Sequence, residues 1–152
     1  MKDETIKARL LEKLNQLLDE RIIATEQSIQ SAKESRDNDT KSSAGDKYET
    51  GREMIQQEMD KQSAQLAKNR ALKNDLARIN PANVFTQAGF GSVVICNSGC
   101  YFLSIPFGKI ELAGSNYFCL SLASPIGQLL LGKKAGDVLD FNGQKVELKE
   151  VF

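Results

Sequence analysis

The sequence predicts an α+β protein: a long antiparallel helical hairpin over residues 1–80, then a β-rich domain with one short helix over 81–152. Three observations predict it. An apolar stripe at helical spacing runs through the first 35 residues, stops at one polar segment, and resumes. Pro81 closes that region. Beyond it, short β-rich runs alternate with turn-forming clusters.

The first helix is read from about Lys2 to Ser35, a stretch without Gly or Pro. Ile6, Leu10, Leu14, Leu18, Ile22, Thr25, Ile29 and Ala32 recur in steps of three and four, the period of one helix face. From Leu18 to Ala32 the steps alternate as in a coiled-coil seam. Leu11, Leu17 and Ile23 widen the stripe at the N-terminal end. Residues 36–46 hold no large apolar side chain and are rich in Asn, Asp, Ser and Gly, which favour turns and caps. The period returns at Tyr48, Gly51, Ile55, Met59, Gln62, Leu66, Asn69, Leu72, Leu76 and Ile79. Asp46, three residues ahead of Glu49, is placed to cap this second helix. Two helices of similar length around one polar break make an antiparallel hairpin. Each spans about 45 Å at 1.5 Å per residue. A coiled-coil dimer between chains is the alternative.

In the second half, Ser92–Cys96 and Cys100–Ile105 flank Asn97-Ser98-Gly99. Ile110–Leu112 and Tyr117–Leu122 flank a Gly114-containing turn, and Val138–Phe141 and Lys145–Val151 alternate about Asn142-Gly143, a strong hairpin signal. Between them Ile126–Leu131 reads as a short helix with Pro125 at its first position. The expected result is an antiparallel sheet wrapped around one helix.

Composition removes several functions. Residues 1–80 hold 15 of the 20 Lys+Arg and 15 of the 20 Asp+Glu, which leaves 5 of each sign in 81–152. Neither half carries the broad basic field of a nucleic-acid binder, and no sequence-specific DNA binding is expected. No apolar run is long enough to span a membrane, and no signal peptide is visible, so a cytoplasmic location is expected. The absence of histidine excludes Ser-His-Asp and Cys-His catalysis within the chain. Cys96, Cys100 and Cys119 have no assigned role; a disulfide or metal pair of Cys96 with Cys100 is a minority expectation in a reducing compartment.

The stretch Leu120-Ser121-Leu122-Ala123-Ser124-Pro125-Ile126, followed by Gly132-Lys133 and Gly136-Asp137, resembles the C-terminal signature of the Gre factors, GreA and GreB. These are bacterial transcription elongation and transcript-cleavage factors, whose signature reads Ile-Ser-x-x-Ser-Pro-Ile, a short helix, Gly-Lys and Gly-Asp. Order, spacing and the upstream hairpin agree, so the resemblance covers essentially the whole chain. It implies a coiled-coil arm that enters the secondary channel of RNA polymerase and an FK506-binding-protein-like domain that docks on the polymerase rim near Ser124, Pro125 and Ile126. It implies no intrinsic cofactor, only Mg²⁺ shared with the polymerase active site, where tip carboxylates help direct water to the RNA 3′ end.

The tip departs from that pattern. The family reads Asp-Leu-x-Glu-Asn-x-Glu-Tyr, and its two working acids align, without a gap, on Lys41 and Ala44. The tip Lys41-Ser42-Ser43-Ala44-Gly45-Asp46-Lys47-Tyr48 offers Asp46, with Asp37 and Asp39 upstream, as the candidate acids. Helix capping is the simpler reading of all three, with Asp46 capping the second helix and Asp37 and Asp39 capping or ending the first. The chain is therefore expected to bind polymerase and modulate elongation or pausing without enzymatic activity of its own, at most stimulating RNA cleavage by the polymerase. A cleavage factor with a rearranged acidic tip is the enzymatic alternative. A prolyl isomerase or chaperone module, its pocket drawn from Tyr101, Phe102, Phe107, Tyr117, Phe118 and Phe141, is the alternative of another class.

Overall fold

A computed structural model describes the backbone of residues 2–39 and 45–152, with side chains placed over 3–38 and 49–152. In chain order it contains α1 (Lys2–Asp39), α2 (Gly45–Ala77), β1 (Val93–Cys96), β2 (Gly99–Leu103), β3 (Gly108–Leu112), β4 (Ser115–Leu120), α3 (Pro125–Leu130), β5 (Val138–Phe141) and β6 (Gln144–Val151). The expected α+β class holds. By contact the chain divides into Asn15–Lys73 and a unit made of Met1–Leu14 with Asn74–Phe152. The sequence changes character near residue 80, but the ends of the two long helices belong with the sheet.

Within Asn15–Lys73 the helices run antiparallel. The Lys73 ammonium pairs with Asp19, Arg70 with Glu26 at 2.7 Å, and Arg36 Nη1 donates to Gln56 Oε1 at 2.9 Å. Partners on α2 move toward its N-terminus as those on α1 move toward its C-terminus. These contacts lie within one chain, as the hairpin reading requires. The stripe read from the sequence is the face that packs. Leu18 and Asn69 are buried, and Ile22, Thr25, Ile29, Ala32, Gly51, Ile55, Met59, Gln62 and Leu66 are half-buried. Exposed ion pairs are worth only about 0–1 kcal/mol each, so the seam supplies most of the cohesion.

Helix boundaries differ from expectation. α1 continues through Arg36 to Asp39, four residues past Ser35, because Arg36 turns into the seam and bonds Gln56 instead of ending the helix. α2 begins at Gly45, so the backbone places Asp46 inside its first turn rather than ahead of it. α2 ends at Ala77, before Pro81; Asn80 Oδ1 accepts the Ala82 amide at 2.9 Å and turns the chain.

The six strands form one sheet in the order β3-β4-β2-β1-β6-β5. All neighbours are antiparallel except β2 and β4, which run parallel from Cys100↔Tyr117 to Leu103↔Leu120. The all-antiparallel expectation is corrected there. The chain leaves β2, forms β3 at the edge, and returns as β4 between them, with Phe107 N–H bonding Cys119 O at 3.2 Å. On one face Val94, Cys96, Leu103, Leu139, Val146 and Leu148 enclose Ile126 and Leu130 of α3. The other face carries Val93, Phe102, Ile110, Tyr117 and Cys119, all buried. In the same unit Leu10, Leu14 and Leu76 are fully or nearly fully buried.

All three cysteines are free. Cys96 joins the α3-side core, whereas Cys100, paired with Ile95 across the β1–β2 hairpin, lies on the opposite face. The sheet pleat thus separates the two thiols, and the pairing considered from their spacing is not made. Among the described residues no helix is long and apolar enough to cross a membrane.

Candidate functional site

Three places hold the residues singled out in the sequence: the hairpin tip, the Ser124 turn with α3, and an aromatic cleft on the sheet.

At the tip, Lys41, Ser42, Ser43 and Ala44 lie outside the described residues, as do the side chains of Asp39, Asp46, Lys47 and Tyr48. The backbone places Asp37 and Asp39 in the last turn of α1, and Asp46 in the first turn of α2. Asp37 is exposed, and its Oδ1 lies 3.4 Å from Arg36 Nη2. Among the described residues no group of three or more His, Cys, Asp or Glu is arranged to hold a metal ion. Mg²⁺ requires several oxygen ligands, and the one described candidate acid faces a guanidinium. Of the candidate acids, Asp37 alone has a described side chain, and no step is derived through a metal.

The Ser124 turn is built in detail. Ser124 Oγ accepts the Gly127 amide at 3.1 Å and donates to Ser121 O at 2.7 Å. It is the N-cap of α3, and Pro125 occupies the first turn, where a missing N–H costs nothing. Gly127 is the residue whose role the sequence did not reveal. A Cβ there would lie 2.2 Å from Ser121 O and 2.8 Å from Ser124 Oγ, so only glycine fits under the turn. After α3, Gly132 (φ +82°) turns the chain and donates to Ala88 O at 2.8 Å. Asp137 Oδ2 accepts the Lys134 amide at 2.8 Å and closes the turn into β5. The signature residues thus shape the path from β4 to β5.

The three docking candidates separate in this geometry. Pro125 is exposed, Ser124 is half-buried with its hydroxyl committed to the cap, and Ile126 is 9% exposed in the core. Leu129 and Leu131, at 40% and 52% exposure, are the large apolar side chains α3 and its C-cap leave in solvent. A helix only six residues long gives no reliable periodicity, so this outward face was not legible beforehand.

The aromatic residues also separate. Tyr101, Phe118 and Phe141 wall an open cleft of ≈ 400 Å³ with Ser98, Asn142 and Gln144. The Tyr101 and Phe118 ring centroids are 6.0 Å apart, and the Tyr101 hydroxyl shares a 3.2 Å hydrogen bond with Ser98. Phe102 and Tyr117 are buried on the opposite face, and Phe107 does not line the cleft.

No family model matches the sequence, and no curated protein matches it. Three chains of solved structures do. One of these is a structure of the transcription factor Gfh1; it is 21% identical, with 93% of this chain and 92% of that chain covered and a TM-score of 0.34. A likeness that distant assigns no activity, partner or residue role to this protein.

Proposed function

We propose that this protein is a Gre-like transcription regulator. It binds RNA polymerase through the α3 surface and inserts the helical hairpin into the secondary channel, where it modulates elongation or pausing near the RNA 3′ end. It works in the bacterial cytoplasm and has no cleavage activity of its own. The main support is the coexistence, in one chain, of an antiparallel hairpin of 38- and 33-residue helices and a Ser-Pro turn capped by Ser124 over Gly127. The hairpin gives a narrow probe, and the turn carries the residues of the Gre-like signature.

The test is retention on immobilised core RNA polymerase, followed by RNA cleavage in a stalled, backtracked complex. Binding with little or no stimulated cleavage is expected. Lys41→Asp with Ala44→Glu should raise cleavage at equal polymerase occupancy. Strong cleavage by the unaltered chain that Asp39→Ala or Asp46→Ala abolishes would instead establish the rearranged acidic tip. The docking test falls on Leu129→Asp with Leu131→Asp, because Ser124 is occupied by the cap.

A second reading has one observation in its favour: the open cleft of Tyr101, Phe118 and Phe141 is of a kind that seats a proline ring. Isomerisation of a proline-containing peptide, lost in Tyr101→Ala, would support it.

A further inference from the structure

We propose that the cleft between the first turns of α1 and the β1–β2–β4 face binds a small zwitterion with an apolar body, of the amino-acid or dipeptide class. This inference is independent of polymerase binding. The cleft has a volume of ≈ 920 Å³ and lies wholly within the unit Met1–Leu14 with Asn74–Phe152. Pockets of roughly 300–1,000 Å³ with apolar walls and a few polar groups are the usual sites for small ligands.

The lining determines the ligand class. Ile6, Ile95, Leu112 and Phe152 supply apolar walls from α1, β1, β3 and the segment after β6. Arg9 brings a guanidinium from α1, while Asp3 and Glu150 bring carboxylates from α1 and β6. Neither Arg9 nor Glu150 makes an ion pair among the described residues. Asp3 also faces the Lys7 ammonium, so the cleft sets Glu150 against Arg9 and favours a ligand carrying both signs over a phosphate or dicarboxylate. A ligand whose ammonium meets Glu150 and whose carboxylate meets Arg9 satisfies both signs. Its apolar body then removes the wall residues from water.

Two further groups argue for binding rather than reaction. Tyr117, 6% exposed, also lines the cleft and is a weak acid with no negative charge at neutral pH to repel a carboxylate. Cys100 also lines the cleft, and burial, with Glu150 beside it, pushes its thiol above the ordinary range. It is a neutral thiol at neutral pH and a poor nucleophile.

The experiment uses the full chain and leucyl-phenylalanine as probe, followed by titration calorimetry and by the rate at which N-ethylmaleimide labels Cys100. The expected result is saturable binding that slows Cys100 labelling. Capping the probe's ammonium with acetyl, or its carboxylate as the amide, should each weaken binding roughly tenfold or more. Glu150→Gln should weaken the free dipeptide but leave the acetylated form unchanged, and Arg9→Gln should do the same for the free dipeptide and the amide. If either variant fails to fold, the capped probes on the unaltered chain test the same contacts. No heat and no protection up to ~10 mM, or equal affinity with and without the probe's charges, would overturn the proposal.

Discussion

The Arg36 guanidinium crosses the hairpin to the Gln56 side-chain oxygen at 2.9 Å, where leucines would pair nearer the base. Gln56 Nε2 in turn donates to Asp60 at 3.0 Å, and Arg36 also faces Asp37. The apolar seam has thinned here to Ala32 and Gly51, so a polar clamp holds the last described turns of α1 to α2. Arg36→Ala should cost about 1 kcal/mol locally. Hydrogen exchange should speed up in residues 32–38 and 50–56, with protection around Leu18 and Leu76 unchanged. Equal loss along both helices would show that the clamp serves the whole hairpin.

Gly127 offers the sharpest test of the Ser124 turn. Gly127→Ala forces a methyl against Ser121 O, at an expected cost of about 1–3 kcal/mol. Ser124→Ala removes the cap and should cost about 1 kcal/mol. Urea unfolding monitored on the sheet domain measures both. The double variant should fall short of the sum, because both changes act on one hydrogen bond.

Lys7 is 2% exposed; its ammonium donates to Asn83 O and lies 5.0 Å from the centre of the Phe85 ring. Burial lowers its pKa below 10.5, opposed by the nearby Asp3 and Glu4 carboxylates. Between the lowered value and 10.5 the unfolded chain holds a proton that the folded chain has released. Stability attributable to Lys7 therefore rises with pH across that window, and its burial penalty is fully present below it. Lys7→Met should abolish this component. Unfolding free energies of the two proteins, compared over the alkaline range, should diverge with the sign given; parallel curves would place Lys7 in water.

Much of this architecture was legible in the sequence, and the exceptions have physical causes. Ile6 through Ala32 and Gly51 through Ile79 marked the packed face because a 3.6-residue period is a local property. The parallel β2–β4 pair was not legible, since it depends on where β3 lies and no local pattern encodes that. Lys7 escaped notice although it sits four residues before Leu11 on the widened stripe; a lysine is ordinarily assigned to solvent. Gly127 was hidden because its requirement comes from the Ser121 carbonyl six residues away. Alignment placed Lys41 and Ala44, not acids, at the tip, and of the candidate acids Asp37, Asp39 and Asp46 only Asp37 has its side chain among the described residues.

The central claim is that the hairpin enters the polymerase secondary channel. A photo-crosslinking residue in place of Asp37, which is exposed near the end of α1, tests it most directly when the full chain is bound to core RNA polymerase. The expected result is a crosslink to polymerase segments lining the secondary channel, lost when Leu129→Asp with Leu131→Asp abolishes docking. Retained polymerase binding with no crosslink in the channel, or no binding to core polymerase, would contradict it.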